Sequence, residues 1–122
     1  MARRTLPPGA TGSATLVVAR SDLANQLSAE HEGLFPTVFA TARMIAFMEL
    51  AAGRALAPIL EEGEVSVGVS IEVRHTAATP VGSTVRATAR FVGVNGKFYR
   101  FEVTAEDDGG EIGRGTHERA IV

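Results

Sequence analysis

Val38-Phe39-Ala40-Thr41-Ala42-Arg43-Met44-Ile45-Ala46-Phe47-Met48-Glu49-Leu50-Ala51-Ala52-Gly53-Arg54-Ala55-Leu56-Ala57-Pro58-Ile59-Leu60 is the stretch that decides how this chain folds. Nearly every residue is apolar or a good helix former, and only Thr41, Arg43, Glu49 and Arg54 break the apolar character of its first seventeen residues. Pro36, Thr37 and Thr41 offer start signals, and Pro58 and Gly63 mark the end. A helix apolar on almost every side belongs at the centre of a fold. Its length would suit a membrane span, but Arg43, Glu49 and Arg54 would each cost about 2.5–3.5 kcal/mol at the bilayer centre, so no membrane partner is expected.

The flanking segments follow a different period. From Val65 to Val73 each odd position is apolar and each even one small or polar, which predicts a half-buried strand ending at His75 with the odd positions inward. Ser83 to Val94 repeats the pattern with Val85, Ala87, Ala89 and Phe91 on one face, and Asn95-Gly96 is a type I′ hairpin signal. Tyr99, Phe101, Val103 and Ala105 form the inward face of the next strand. Asp107-Asp108-Gly109-Gly110 turns the chain into a last strand, Glu111 to Val122. Upstream, Ala14 to Ala19 reads as a first strand, and Arg20 to Gly33 as loop with a turn of helix. Residues 1–13 read as a flexible N-terminal arm preceding a single domain over 14–122. The order is strand, long helix, four strands: an α+β architecture in which an antiparallel sheet of about five strands wraps one central helix.

Composition narrows the function classes. The 122 residues carry 12 basic and 14 acidic side chains, so there is no basic excess to neutralise a phosphate backbone, and nucleic acid is not an expected partner. No cysteine is present, which removes disulfides, thiolate metal sites and a cysteine nucleophile together. His31, His75 and His117 stand at no zinc-ligand spacing, so no metal is expected. Gly68-Val69-Ser70-Ile71-Glu72 begins like a nucleophile elbow but lacks the closing glycine, and Gly113-Arg114-Gly115 lacks the third glycine of a dinucleotide fingerprint. Without a signal or spanning segment a cytoplasmic location is expected.

Three residues stand out chemically. Glu49 lies among Ile45, Ala46, Phe47, Met48, Leu50 and Ala51, where a carboxylate loses hydration and needs a partner. The alternative is a helix face that meets solvent or pairs with an arginine. His75 ends its strand facing inward, fit to handle protons or merely satisfied by loop carbonyls. Thr41 is either a helix cap or a third site member. Eight helical residues separate Thr41 from Glu49 by ~12 Å in rise and about 80° in rotation. If both serve one site, the substrate spans the gap or a second copy supplies the missing side chain.

Val38-Phe39-Ala40-Thr41, Met48-Glu49, Arg74-His75-Thr76-Ala77-Ala78-Thr79-Pro80 and Gly115-Thr116-His117-Glu118-Arg119-Ala120 together resemble the fluoroacetyl-CoA thioesterase family, a branch of the hot-dog fold. The resemblance runs from Phe35 to Val122. It implies a homodimer that hydrolyses a short acyl-CoA thioester with a catalytic Thr41, Glu49 and His75 set. It also implies substrate contacts at Gly68 and Arg119, a pocket-covering Phe35, and no cofactor, coenzyme A being part of the substrate. Physically, the leaving thiolate resembles a cysteine side chain of pKa about 8.5 and departs with little acid assistance. Glu49 is then the nucleophile or water-activating base, His75 the proton carrier and Thr41 the orienting hydroxyl. A strand glycine such as Gly68 admits close approach of substrate. A non-catalytic acyl-thioester binding module and a hot-dog dehydratase are the competing readings.

Overall fold

The computed structural model describes residues 4–122. Its elements are β1 (Thr11–Val17), α1 (Thr41–Leu56), β2 (Ser66–His75), β3 (Thr84–Asn95), β4 (Phe98–Asp107) and β5 (Gly110–Ile121), with short 3-10 turns at Arg20–Asp22, Ala24–Gln26 and Ala57–Ile59. The strands form one antiparallel sheet in the order β1-β3-β4-β5-β2, and α1 packs on one face of it, chiefly against β1 and β3.

The helix is shorter than its apolar run. Val38, Phe39 and Ala40 are held extended by backbone bonds that compete with helix: Ala24 N–H to Val38 O at 2.8 Å, Phe39 N–H to Thr79 O at 2.8 Å, and Ala40 N–H to Asp22 O at 2.9 Å. Helical hydrogen bonding therefore starts only at Ala40 O, which accepts from Arg43 and Met44. At the other end Pro58 has no N–H to continue the ladder, and α1 tightens into the Ala57–Ile59 turn. Met44, Met48, Ala51, Ala52, Ala55 and Leu56 are buried against the sheet. Ala42, Ala46 and Leu50 remain exposed, so the helix is covered on one side only by its own chain.

The β3 and β4 patterns fold as their alternation predicts: Val85, Ala87, Ala89, Phe91, Tyr99, Phe101, Val103 and Ala105 are all buried. The hairpin between them differs in one detail. Asn95 pairs with Phe98, so the two-residue loop is Gly96-Lys97, and only its first residue has positive φ (62°), the type II′ pattern rather than type I′. The helix packs so closely on β1 that a Cβ at Gly12 would stand 2.2 Å from Ala51 O. Gly12→Ala should therefore lower stability by about 1–3 kcal/mol, measured as a reduced denaturation midpoint.

Two expectations are corrected. The arm over 1–13 is not loose where described: β1 begins at Thr11, Leu6 is buried, Arg4 pairs with Glu64, and Gly9 N–H and Ala10 O both bond Phe91. The expectation for residues 1–3 falls outside the described residues. The strand from Val65 to His75 also does not keep its odd residues inward throughout. A bulge between Gly68 and Ser70 shifts the register, so Gly68 faces α1 while Val65, Val67 and Val69 are exposed; Ile71, Val73 and His75 regain the inward phase. β2 is an edge of the sheet, its outer rim unpaired among the described residues.

Candidate active site

Thr41 is the first residue of α1, and Ala40, which has no capping side chain, holds the cap position. The Thr41 hydroxyl is thereby free of capping duty and lies 2.9 Å from His75 Nδ1 at the end of β2. The ring of His75 stands edge-on to Phe39 at 6.3 Å, and its Nε2 is buried without a hydrogen-bond partner among the described residues. Burial pushes the imidazole below its usual value near 6.5, opposed in part by a backbone hydrogen bond at Ala77. A cavity of about 360 Å³ opens here, walled by Phe35, Val38, Phe39, Thr41, His75 and Ala77. A second, of about 330 Å³, is lined by Phe35, Thr41 and His31. Phe35, half exposed, thus forms a wall of both.

Glu49 occupies a separate cluster further along α1. Its carboxylate retains 43% side-chain exposure and sits 3.8 Å from Arg119 Nη1, whose side chain is 10% exposed. The arginine pairing left open as one alternative is therefore realised. Arg119 also donates from Nε to Ser66 Oγ (2.9 Å), from Nη2 to Ser66 O (2.9 Å) and from Nη1 to His117 Nε2 (3.1 Å). Burial lowers the affinity of the guanidinium for its proton, and the Glu49 charge opposes that effect. A Cβ at Gly68 would lie 3.1 Å from His117 Cε1 and 3.3 Å from Glu49 Oε1. The space that the glycine leaves is therefore filled by this chain's own side chains. Glu49, Ser66 and Arg119 line a cavity of about 410 Å³ together with Ala46, Leu50 and Arg54.

Thr41 and His75 thus meet, as do Glu49, Gly68 and Arg119, but the two groups occupy opposite ends of the α1–β2 contact. His117 and Ser66 belong to the second group and do not stand out as site members in the sequence. The signal for His117 is its separation of two from Arg119, which puts both on one face of β5. Arg100 pairs with Glu118 at 3.3 Å and Lys97 lies 5.6 Å from the Phe98 ring centre, so both make contacts within the chain. Among the described residues no three His, Asp or Glu side chains gather as a metal site, and no helix is long and apolar enough to cross a membrane.

His117 is also pushed below 6.5, chiefly by burial and further by the Arg119 charge; the Ser70 backbone bond and the Glu49 and Glu118 charges oppose this. Because His75 and His117 both prefer to be neutral when folded, the unfolded chain takes up protons first on acidification. Their contribution is complete above a pH of about 6.5 and is lost as the pH falls through the window below it. Denaturant midpoints measured from pH 7.5 to 5 should fall, and replacing both histidines by glutamine should flatten that slope.

The sequence pattern of the fluoroacetyl-CoA-specific thioesterases matches residues 18–122. The fluoroacetyl-CoA thioesterase of Streptantibioticus cattleyicolor is 53% identical over 88 residues, 72% of this chain and 63% of that protein's length. A crystallised variant of the fluoroacetyl-CoA-specific thioesterase FlK, in complex with fluoroacetate and CoA, superposes with a TM-score of 0.88 at 43% identity, covering 96% of this chain and 95% of that one. A hot-dog-like protein from Thermanaerovibrio acidaminovorans has a TM-score of 0.83 at 29% identity, covering 96% and 84%. With the five-stranded antiparallel sheet wrapped on one helix, these matches show that the chain has the hot-dog fold and belongs to the fluoroacetyl-CoA-specific thioesterase family.

Proposed function

We propose that this chain hydrolyses a short-chain acyl-CoA thioester of the fluoroacetyl-CoA kind to the free acid and coenzyme A, acting as a homodimer. The observation that carries the reading is the Thr41–His75 hydrogen bond at the mouth of a cavity beside the helix start, where a carbonyl would meet an imidazole, a hydroxyl and helical N–H groups together. Helix geometry gives the N–H groups of Thr41 and Ala42 no intrahelical acceptor, so they are available to an oxyanion. Glu49 supplies the attack, either on the acyl carbon itself or by taking a proton from water that attacks it. The C–S bond then breaks and the thiolate leaves, taking up a proton carried by His75; where Glu49 itself attacked, water then cleaves the resulting mixed anhydride, which releases the acid and restores the carboxylate. His75 carries protons, Thr41 orients, Arg119 steadies the Glu49 carboxylate and Phe35 covers the acyl group. Gly68 contributes by leaving room for Glu49.

Glu49 cannot reach Thr41 and His75 along its own helix, which favours a composite site. β2 runs so that its Gly68 end lies by Glu49 and its His75 end by Thr41. If two copies pair antiparallel along this free edge, Gly68 of one comes near the partner's His75, and Glu49 faces the partner's Thr41 and His75. The exposed Ala46, Leu50, Val67 and Val69 near this edge would be covered by the same pairing.

Thiol release from acetyl-, fluoroacetyl- and longer acyl-CoA tests the reading. Turnover is expected with the short acyl groups and should fall with chain length. Binding of acyl-CoA with no thiol released from any of them would instead make the chain a binding module.

A further inference from the structure

The Gly115-Thr116-His117-Glu118-Arg119 segment of β5 contains a device that the proposed chemistry does not itself account for. His117 is 1% exposed, and both its ring nitrogens are engaged: Nδ1 lies 2.7 Å from Ser70 O and Nε2 lies 3.1 Å from Arg119 Nη1. A carbonyl only accepts and a guanidinium only donates. Nδ1 therefore carries the proton and Nε2 the lone pair, and the two contacts independently demand the same neutral tautomer. We propose that His117 is a positioning residue which, by holding the β2 bulge through one nitrogen and Arg119 through the other, sets where the guanidinium meets Glu49. This rests on the thioesterase reading only for its catalytic consequence; the positioning itself is structural.

The bulge is what makes the arrangement possible. A regular β2 would aim Val67 or Val69 at α1, into the space that the Glu49 carboxylate and the His117 ring occupy. The extra residue instead turns Gly68 toward the helix. Ser70, on the far side of the shift, is gripped from both faces: His117 donates to its carbonyl on the inner side, and its hydroxyl donates to Glu118 at 3.1 Å on the outer side. Arg119, the next inward residue of β5, is then fixed at three corners, by Ser66 Oγ, Ser66 O and His117 Nε2, with Glu49 at the open side. Protonating His117 would set an N–H against an Arg119 N–H and break one corner. Among the described residues the charged groups facing the ring are Arg119 and Glu118 from β5 and Glu49 from α1; β2 opposes it with the Ser70 carbonyl, Gly68 and Ile71, and β4 with Phe101.

The test compares wild type with His117→Gln, whose amide oxygen can replace Nε2 as acceptor for Arg119, and His117→Asn, whose shorter amide can keep only the donor to Ser70. Nitrogen-15 spectra at pH 7 should show wild-type His117 neutral with the proton on Nδ1. The ordered Arg119 guanidinium signals should survive in the Gln variant and be lost in the Asn variant. Where thiol is released, kcat/KM should fall about 10-fold or more for Asn and stay near wild type for Gln. An Nε2-protonated or charged His117, or Arg119 signals that survive equally in both variants, would overturn the proposal. Absence of turnover in wild type would count against the thioesterase reading alone, because the spectra decide the positioning role without it.

Discussion

Glu49→Gln is expected to lower the rate of thiol release by about 10²–10⁴-fold, the range in which a positioned acid, base or nucleophile acts. The substitution keeps the shape of the side chain and an oxygen that can still accept from Arg119, so folding and acyl-CoA binding should persist. What is lost is the charge. A neutral amide neither attacks an acyl carbon nor takes a proton from water, and with no cysteine in the chain no thiolate can stand in for it. The expected kinetic signature is therefore a fall in kcat with little change in KM. Stopped assays that follow both free thiol and released acid would check it, and a Glu49→Gln variant that keeps near-normal kcat would remove the carboxylate from the mechanism.

His75→Ala is expected to have the second-largest effect, again on the order of 10²-fold or more in kcat. Its removal takes away the partner of the Thr41 hydroxyl, the edge-on contact to Phe39 and the one imidazole that lines the larger of the two cavities beside Phe35. Thr41→Val should act in the same direction but more weakly, since it leaves the imidazole in place. The ordering of these two variants separates proton transfer from orientation: if loss of the hydroxyl costs as much as loss of the ring, the two act as one unit rather than in separate roles.

Much of this architecture is legible in the residues. The alternation in β3 and β4 fixes which side chains are inward because a strand with one buried face has no other stable phase. The α1 run is legible as a core helix, but its start is not, because backbone bonds from Thr79, Asp22 and Ala24 hold Val38 to Ala40 extended and propensity carries no information about such distant partners. The same limit applies to the N-terminal segment, where a Pro- and Gly-rich composition looks loose while Leu6 and Arg4 dock on the sheet and on Glu64.

Within the site, Thr41, Glu49 and His75 stand out by their settings and by resemblance; Thr41 and His75 meet, whereas Glu49 lies against Arg119. His117 was harder to see. Its importance depends on the bulge at Val69, and simple alternation through Val65 to Val73 conceals that bulge because valines occupy both the inward phase expected and the outward phase observed. The exposed side of α1 is a further case. An all-apolar helix suggests complete burial, yet one chain covers only half of it, and the remainder is what a second copy along β2 would cover.

The composite site is the central claim, and mixed dimers test it most directly. Glu49→Gln chains and His75→Ala chains, each nearly inactive alone, are unfolded together, refolded in equal amounts and assayed for thiol release from a short acyl-CoA. If Glu49 works with the partner's Thr41 and His75, each mixed dimer carries one site with both substitutions and one with neither. Half the dimers are mixed, so about a quarter of wild-type activity should return. Activity that stays at the level of the two variants measured separately would contradict the account.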